Sequence, residues 1–275
     1  MPEFHIDVID SSTAADLLKQ QSGLSKQQIK QAMKKGAVWV SEANKGHKRL
    51  RRAAKALKVG QELHLYYDAK VLALQVDAAV LIADEGAYSV WYKPYGMLSQ
   101  GSKWGDHCTI NRWVEEQQTP QRPAFIVNRL DRAAQGLMLI AHTKSAAIAL
   151  SGLFAQRLIT KHYTAVVAGQ LPKHLLLDTP IDDMPALSQA SSLAYNSLTK
   201  QSLVNVKIET GRKHQIRKHL SGAGFPIIGD RLYGPAVTEW KINLCLVASF
   251  LRFCCPLTGS QKSYRLVEDY LPKLR

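Results

Sequence analysis

Strand and helix patterns mix along this chain without the regular strand–helix–strand repeat of a parallel sheet, and that order directs it to the α+β class. Residues 136–141 form a continuous apolar run bounded by Gly136, the pattern of a buried strand. Residues 88–92 read as another strand, stopped by the Lys93-Pro94-Tyr95-Gly96 turn. Residues 143–157 are rich in Ala and Leu, and Ala147, Leu150 and Phe154 share one helix face. Residues 159–168 make a β-branched strand, and 203–209 alternate apolar and polar side chains. Gly211 leads into a short helix over 213–220, closed by Gly222. These elements place a large unit over residues 80–275, after a smaller one over 1–75.

Charge sets the smaller unit apart. The 275-residue chain has a formal net charge of +14. Between Lys19 and Lys58, twelve Lys or Arg accompany a single acid, Glu42. An excess so localised fits a polyanionic partner, nucleic acid ahead of an anionic membrane surface. Ser25-Lys26-Gln27-Gln28 is a capping box, after which Ile29, Ala32 and Met33 fall on one apolar helix face. Lys26, Lys30 and Lys34 form a cationic ridge beside that face. Gly36 ends the helix, residues 37–40 form a strand, and a basic loop over 45–52 carries Lys48, Arg49, Arg51 and Arg52. Residues 58–63 turn into a last short strand.

In this order, LSKQQIKQAMKKGAVWV and LKVGQEL resemble the small RNA-binding module called the S-four-like domain. The resemblance implies a small N-terminal α/β domain whose basic helix and following loop lie against RNA phosphates. Where that module has an Asn-Gly turn after its strand, this chain has a longer connection over 40–46.

Cys108, Cys245, Cys254 and Cys255 include no Cys-x-x-Cys, and His162 and His214 stand in no ligand spacing with them, so no metal site is expected. Cys254 and Cys255, in an apolar stretch, read as buried thiols. The start, Met1-Pro2-Glu3-Phe4-His5, lacks the basic stretch and apolar core of an export signal. No apolar run reaches the roughly 18 residues of a spanning helix. A cytoplasmic enzyme without membrane association, monomeric by default, is the expectation. Neither a dinucleotide fingerprint nor a phosphate-binding loop occurs, so no small-molecule cofactor is expected.

Three segments bear chemistry. Asp131 stands between cations in Arg129-Leu130-Asp131-Arg132, a setting that favours its ionised form. In the helix over 213–220, His214 and Arg217 are expected on one face and Ile216 with Leu220 on another. Alternation along 159–168 puts Lys161 and Tyr163 on the same side.

Together these segments resemble the RluA-like family of pseudouridine synthases. Five motifs carry the resemblance, over roughly residues 85–270. They are Lys93-Pro94-Tyr95-Gly96; Arg129 to Arg132 with Gly136-Leu137; Lys161, Tyr163, Ala165, Val167 and Gly169; Gly211-Arg212-Lys213-His214-Gln215-Ile216-Arg217-Lys218-His219; and Pro226-Ile227-Ile228-Gly229-Asp230 with Leu232-Tyr233-Gly234. Departures occur at Asn128, where the family has His, at Ala134-Gln135 in place of Thr-Ser, and at Val247, where it has His.

The resemblance implies an α+β pseudouridine synthase fold with a mixed, mainly antiparallel central sheet flanked by helices and loops. It implies an RNA partner, ribosomal slightly ahead of transfer RNA. Asp131 is then the catalytic group, as a nucleophile toward the sugar or as the base that removes a sugar proton. Arg217 pairs with it, Tyr163 packs on the uracil, Ile216 supplies apolar wall, and Arg129 fills the space left by a flipped nucleotide. Two other readings stand beside this one: a non-catalytic RNA-binding protein of the same fold, and a glycosidic-bond hydrolase that would need a second carboxylate, with Asp230 the weak candidate.

Overall fold

The structure, a computed structural model, describes residues 2–42, 46–235 and 242–275. The chain divides into two units, Met1–Gln75 with Gln100–Glu116, and Val76–Ser99 with Gln117–Arg275.

In the first unit, strands β1 (Glu3–Asp7), β2 (Val38–Glu42), β3 (Gly46–Arg49) and β4 (Gln61–Tyr66) make an antiparallel sheet in the order β1-β4-β2-β3. Helices α1 (Ala14–Ser22) and α2 (Lys26–Lys34) supply Leu18, Ile29, Ala32 and Met33 to a core shared with Val38, Val40, Leu63 and Leu65. A four-residue helix α3 (Ala69–Leu72) follows. The capping box of α2 forms as read: Ser25 Oγ accepts from Gln28 N–H, and the Gln28 side chain accepts from Ser25 N–H. Gly36 adopts φ 81°, the left-handed conformation expected where the helix stops.

Two expectations change here. The basic stretch over 45–52 is not simply a loop, because 46–49 pair with β2 as an edge strand; positions 43–45 of the long connection, Lys45 among them, lie outside the described residues. The excursion Gln100–Glu116, inside the stretch assigned to the second unit, belongs to the first. Buried Asp106 explains it: its carboxylate takes Arg49 at 3.2 Å and Arg51 at 2.5 Å, while Arg49 also donates to the carbonyls of Gly36 and Ser102. Helix α4 (Ile110–Gln117) ends this excursion.

The second unit is built on strands β5 (Val80–Asp84), β6 (Tyr88–Lys93), β7 (Phe125–Ile126), β8 (Gln135–Ala141), β9 (Thr160–Ala168), β10 (His174–Leu177), β11 (Ser188–Asn196), β12 (Gln201–Ile208), β13 (Leu246–Cys254) and β14 (Gln261–Arg265). The main path runs β10-β11-β12-β9-β13-β8-β6-β5, with β14 on β13 and β7 on β8. Among the described pairings only β13 with β8 is parallel. The fold is α+β with a mainly antiparallel sheet, as expected.

Helix α5 (Lys144–Ala155) starts at Thr143, whose hydroxyl accepts from Ala146 N–H, and its Ala146 and Leu150 pack on β8 residues Leu137 and Leu139. Coverage on both faces explains why β8 reads as an unbroken apolar run. Strand β12 instead alternates half-buried and buried positions. At Gly136, with φ 117°, a Cβ would fall 2.4 Å from the Ala248 backbone nitrogen and oxygen, so glycine is what lets β13 approach β8. Cys255 is buried but Cys254 is exposed, which corrects the reading of both as buried thiols: successive strand residues point to opposite faces.

Candidate active site

Asp131 lies in the turn between β7 and β8, and four hydrogen bonds to its backbone fix that turn. Ser99 Oγ donates to the Leu130 carbonyl at 2.6 Å and accepts from Leu130 N–H at 3.0 Å, so one hydroxyl satisfies both backbone groups of the preceding residue. Gly96 N–H donates to the Arg132 carbonyl at 2.9 Å, and Ala134 N–H to that of Asp131 at 3.1 Å. Gly96 belongs to the Lys93-Pro94-Tyr95-Gly96 turn. Fully buried Lys93 organises that turn by donating from Nζ to the Pro94 and Met97 carbonyls at 3.1 and 2.8 Å. Burial lowers the Lys93 pKa to about 7, against the charge of Asp131, which raises it. The motif that reads as a strand-stopping turn is thus also the clamp on the Asp131 loop.

The second wall comes from helix α6 (Gln215–Gly222). It begins two residues later than expected and includes Gly222. His214 is not on it but precedes it in the left-handed conformation, φ 57°. Gln215 holds this start in place: its Oε1 accepts from Thr210 Oγ1 and Arg212 N–H, while its Nε2 donates to Leu187 O and Ser188 Oγ. His219 braces the same helix through Ser188 Oγ and the Thr179 carbonyl.

Arg217 meets Asp131 as expected, with Nη1 3.4 Å from Asp131 Oδ2. Its tighter partner is Asp230. Arg217 Nε and Nη2 donate to the two Asp230 oxygens at 2.7 Å each, and Asp230 Oδ1 also accepts from Leu232 and Tyr233 N–H. Burial works against the charge on Arg217, but hydrogen bonds and charge from Asp230, then Asp131, outweigh it and hold its pKa above the usual value. Burial likewise opposes the Asp230 charge, yet Arg217 and the backbone donors keep its pKa below the usual range. Asp230 was read from the sequence only as a weak second carboxylate. The signal that would have found it is physical: a buried arginine rarely rests on one half-exposed acid.

His214 Nε2 lies 3.7 Å from Asp131 Oδ1, and its Nδ1 is 2.9 Å from the Tyr233 hydroxyl. Burial lowers its pKa, only partly countered by Asp131, so the imidazole is neutral at neutral pH. Burial, aided by the negative charge of Asp131, pushes the Tyr163 phenol up and keeps it protonated.

Arg129, Asp131, Tyr163, Ile216 and Arg217, all singled out from sequence, line one cavity of about 90 Å³. Asp131, His214 and Arg217 also border a second cavity of about 190 Å³, lined by Tyr95, Arg132 and Arg231. Asp131 therefore borders both cavities, one that joins Tyr163, Ile208, Ile216 and Leu246 to Arg129 and Arg212, and one edged by Arg132 and Arg231. Asn128 Oδ1 accepts from Leu139 N–H, Gln135 accepts from the Tyr92 hydroxyl, and Val247 is buried in β13, so the three departures are each absorbed into the packing.

The remaining sequence-predicted residues sit in the first unit. Lys30, Lys34, Lys48 and Arg52 are exposed. Lys26 pairs with Asp16 at 2.7 Å, and Arg49 and Arg51 spend much of their donor capacity on Asp106 and backbone carbonyls, including Lys34 O for Arg51.

A family model described as RNA pseudouridylate synthase matches residues 87–222. The ribosomal large subunit pseudouridine synthase D of Nitrosomonas europaea is 33% identical over 159 residues, 52% of this chain and 46% of that protein. The dual-specificity RNA pseudouridine synthase RluA of Escherichia coli is 29% identical over 208 residues, 70% of this chain and 94% of that protein. A solved structure, human RNA pseudouridylate synthase domain containing 1, superposes with a TM-score of 0.61 at 20% identity, covering 72% of this chain and 88% of that one. The chain spans about half the length of several curated relatives it matches, between 46% and 55%.

Proposed function

Because the chain belongs to the RluA-like family of RNA pseudouridine synthases, we propose that it isomerises a uridine of structured RNA to pseudouridine with Asp131 as the reacting group. The observation that carries this reading is the convergence of Asp131, Arg217, Tyr163, Ile216 and Arg129 on one cavity from separate segments of the chain.

The reaction detaches uracil from ribose at a nitrogen, turns it, and rejoins it at a ring carbon. No atom is gained or lost. The carboxylate must be charged, close to the sugar, and free to move. Arg217 is fixed by its two-pronged bond to Asp230, which leaves one nitrogen to hold Asp131 loosely at 3.4 Å. Asp131 keeps a charged partner while remaining open to the cavity, either to attack the sugar or to remove its proton. Tyr163 and Ile216 form a slot for the flat ring, and Arg132 and Arg231 in the adjoining recess suit the phosphates of a flipped nucleotide. Unstacking that nucleotide costs a few kcal/mol. Arg129 at the cavity edge is placed to fill the vacated stack, and the cations of the first unit offset part of the cost by holding phosphates.

Asp230 weighs against the hydrolase reading. It is 2% exposed with both oxygens engaged, so it cannot serve as a second carboxylate at a glycosidic bond. The appended basic unit favours ribosomal over transfer RNA as the substrate. Pseudouridine mapping of total RNA from cells with and without the protein tests this: a lost site in ribosomal RNA is expected, and one lost only in transfer RNA would reverse the preference. Tritium release from ring-labelled uridine in that RNA should vanish in Asp131→Asn while RNA binding persists. Turnover by Asp131→Asn would remove Asp131 from the mechanism.

A further inference from the structure

The outer face of the four-stranded sheet carries a cluster that uridine chemistry does not use. In the β1–β4 register His5 lies directly opposite His64, and Asp7 opposite Glu62. The two-residue period puts His5, Glu62 and His64 on one face, while Leu63 and Leu65 turn into the core. His5 Nδ1 and His64 Nδ1 face each other at 2.8 Å. Glu62 brings one oxygen to 4.0 Å from His5 Nδ1 and the other to 3.7 Å from His64 Nε2. Ligand atoms from all three residues fall within 4.8 Å of one another.

The surroundings of this cluster are built for ligation. His64 is 2% exposed, and its Nε2 lies 2.9 Å from Ser41 Oγ. With the Nε2 proton donated to that hydroxyl, the lone pair remains on Nδ1, the atom aimed at His5. His5 has the matching feature on its far side, where Glu3 Oε2 lies 3.8 Å from Nε2. Hydroxyl or carboxylate partners on the outer nitrogen are how metal-binding imidazoles are oriented.

We propose that His5, Glu62 and His64 bind one divalent transition-metal ion of the zinc class, which fastens the edge strand β1 to β4. Two imidazoles and a carboxylate suit zinc, copper or nickel, whereas magnesium and calcium take oxygen ligands. Tetrahedral zinc–nitrogen bonds of about 2.0–2.1 Å set two ligand nitrogens roughly 3.3 Å apart. The two Nδ1 atoms meet head-on, so to hold an ion the rings must part by about half an ångström and each turn by roughly 35° until their lone pairs converge, while Glu62 closes by a change of rotamer. The ion replaces the contact between the two Nδ1 atoms, and any proton shared there leaves to solvent. Exposed His5 leaves a route from solvent, and the fourth coordination position is open to water.

The test uses the full chain without a tag, stripped with chelator and then titrated with Zn²⁺ and with Co²⁺. One equivalent of either ion should bind, Co²⁺ should show the visible absorption of a low-symmetry nitrogen–oxygen site, and Tm should rise with free zinc. His5→Ala and Glu62→Gln alter solvent-facing positions, so both variants should fold. Each should lose at least about tenfold in affinity, together with the Co²⁺ band. Cys254→Ser, at an exposed thiol, should bind as the parent does. Failure to bind stoichiometrically at micromolar zinc overturns the proposal, as does binding that survives in His5→Ala or disappears in Cys254→Ser.

Discussion

The side chain that distinguishes this site from a simple carboxylate–guanidinium pair is Asp230. An arginine 4% exposed at its side chain cannot rely on a partner 3.4 Å away that itself faces a cavity. Asp230 compensates most of the buried charge and, through Leu232 and Tyr233 N–H, ties it to the backbone. Asp230→Asn should therefore destabilise the protein by about 3–5 kcal/mol, the usual cost of breaking a buried pair. It should also draw Arg217 toward Asp131 and lower kcat. Denaturant unfolding with single-turnover kinetics would show both, and unaltered kcat would deny Asp230 any role in positioning. Lys93 permits a prediction with a definite sign. Its pKa falls from 10.5 to about 7 on folding, so between those values the unfolded chain binds more protons and stability rises with pH. The slope is at most about 1.4 kcal/mol per pH unit. Lys93→Met lacks this contribution. Relative to that variant the parent should gain stability as pH rises from 7 toward 10, and parallel profiles of urea stability against pH would refute the lowered pKa of Lys93.

The elements that carry the motifs are those most legible in the sequence. Strands β6, β8, β9 and β12 and helices α2 and α5 follow from apolar period and capping chemistry, because packing and local preference agree there. The start of α6 was misplaced because His214 takes a left-handed backbone that no period reveals, and Gln215, buried among four partners, reads in sequence as a polar surface residue. The excursion 100–116 was assigned to the wrong unit because one acid, Asp106, decides where it packs. Of the active site, the lining residues were legible through motif order, whereas the contacts between loops were not. Ser99 is the clearest of these, since nothing in its neighbourhood marks it as the residue that holds Leu130 on both backbone groups. Ser99→Ala leaves two buried backbone groups with a lost partner, a cost of about 1–3 kcal/mol. The Asp131 turn should loosen, with a fall in kcat larger than any change in KM, since the hydroxyl lies behind the reacting group. A pure KM effect would argue that Ser99 shapes binding instead.

At the scale of the whole chain, charge and chemistry are divided between the two units: the cations concentrate in the first and the reacting carboxylate stands in the second. The cations are not equivalent, because Lys26 already shares its charge with Asp16 and Arg49 and Arg51 with Asp106. Lys30 and Lys34 are exposed and present a full charge on the helix face beside the buried Ile29 and Met33. If that ridge meets RNA phosphates, replacing Lys30 and Lys34 with Gln should weaken binding and reduce the slope of log K against log salt by about 0.7–0.9 per lost contact. Lys26→Gln should change the slope less, since its ammonium is already engaged by Asp16. Pseudouridine formation at saturating RNA should stay near the parent rate in both variants, because none of the three lysines lines the cavity. Titrations at several salt concentrations measure the slopes, and equal slopes for parent and double variant would turn this helix face toward solvent and shift the phosphate contacts to Lys48 and Arg52.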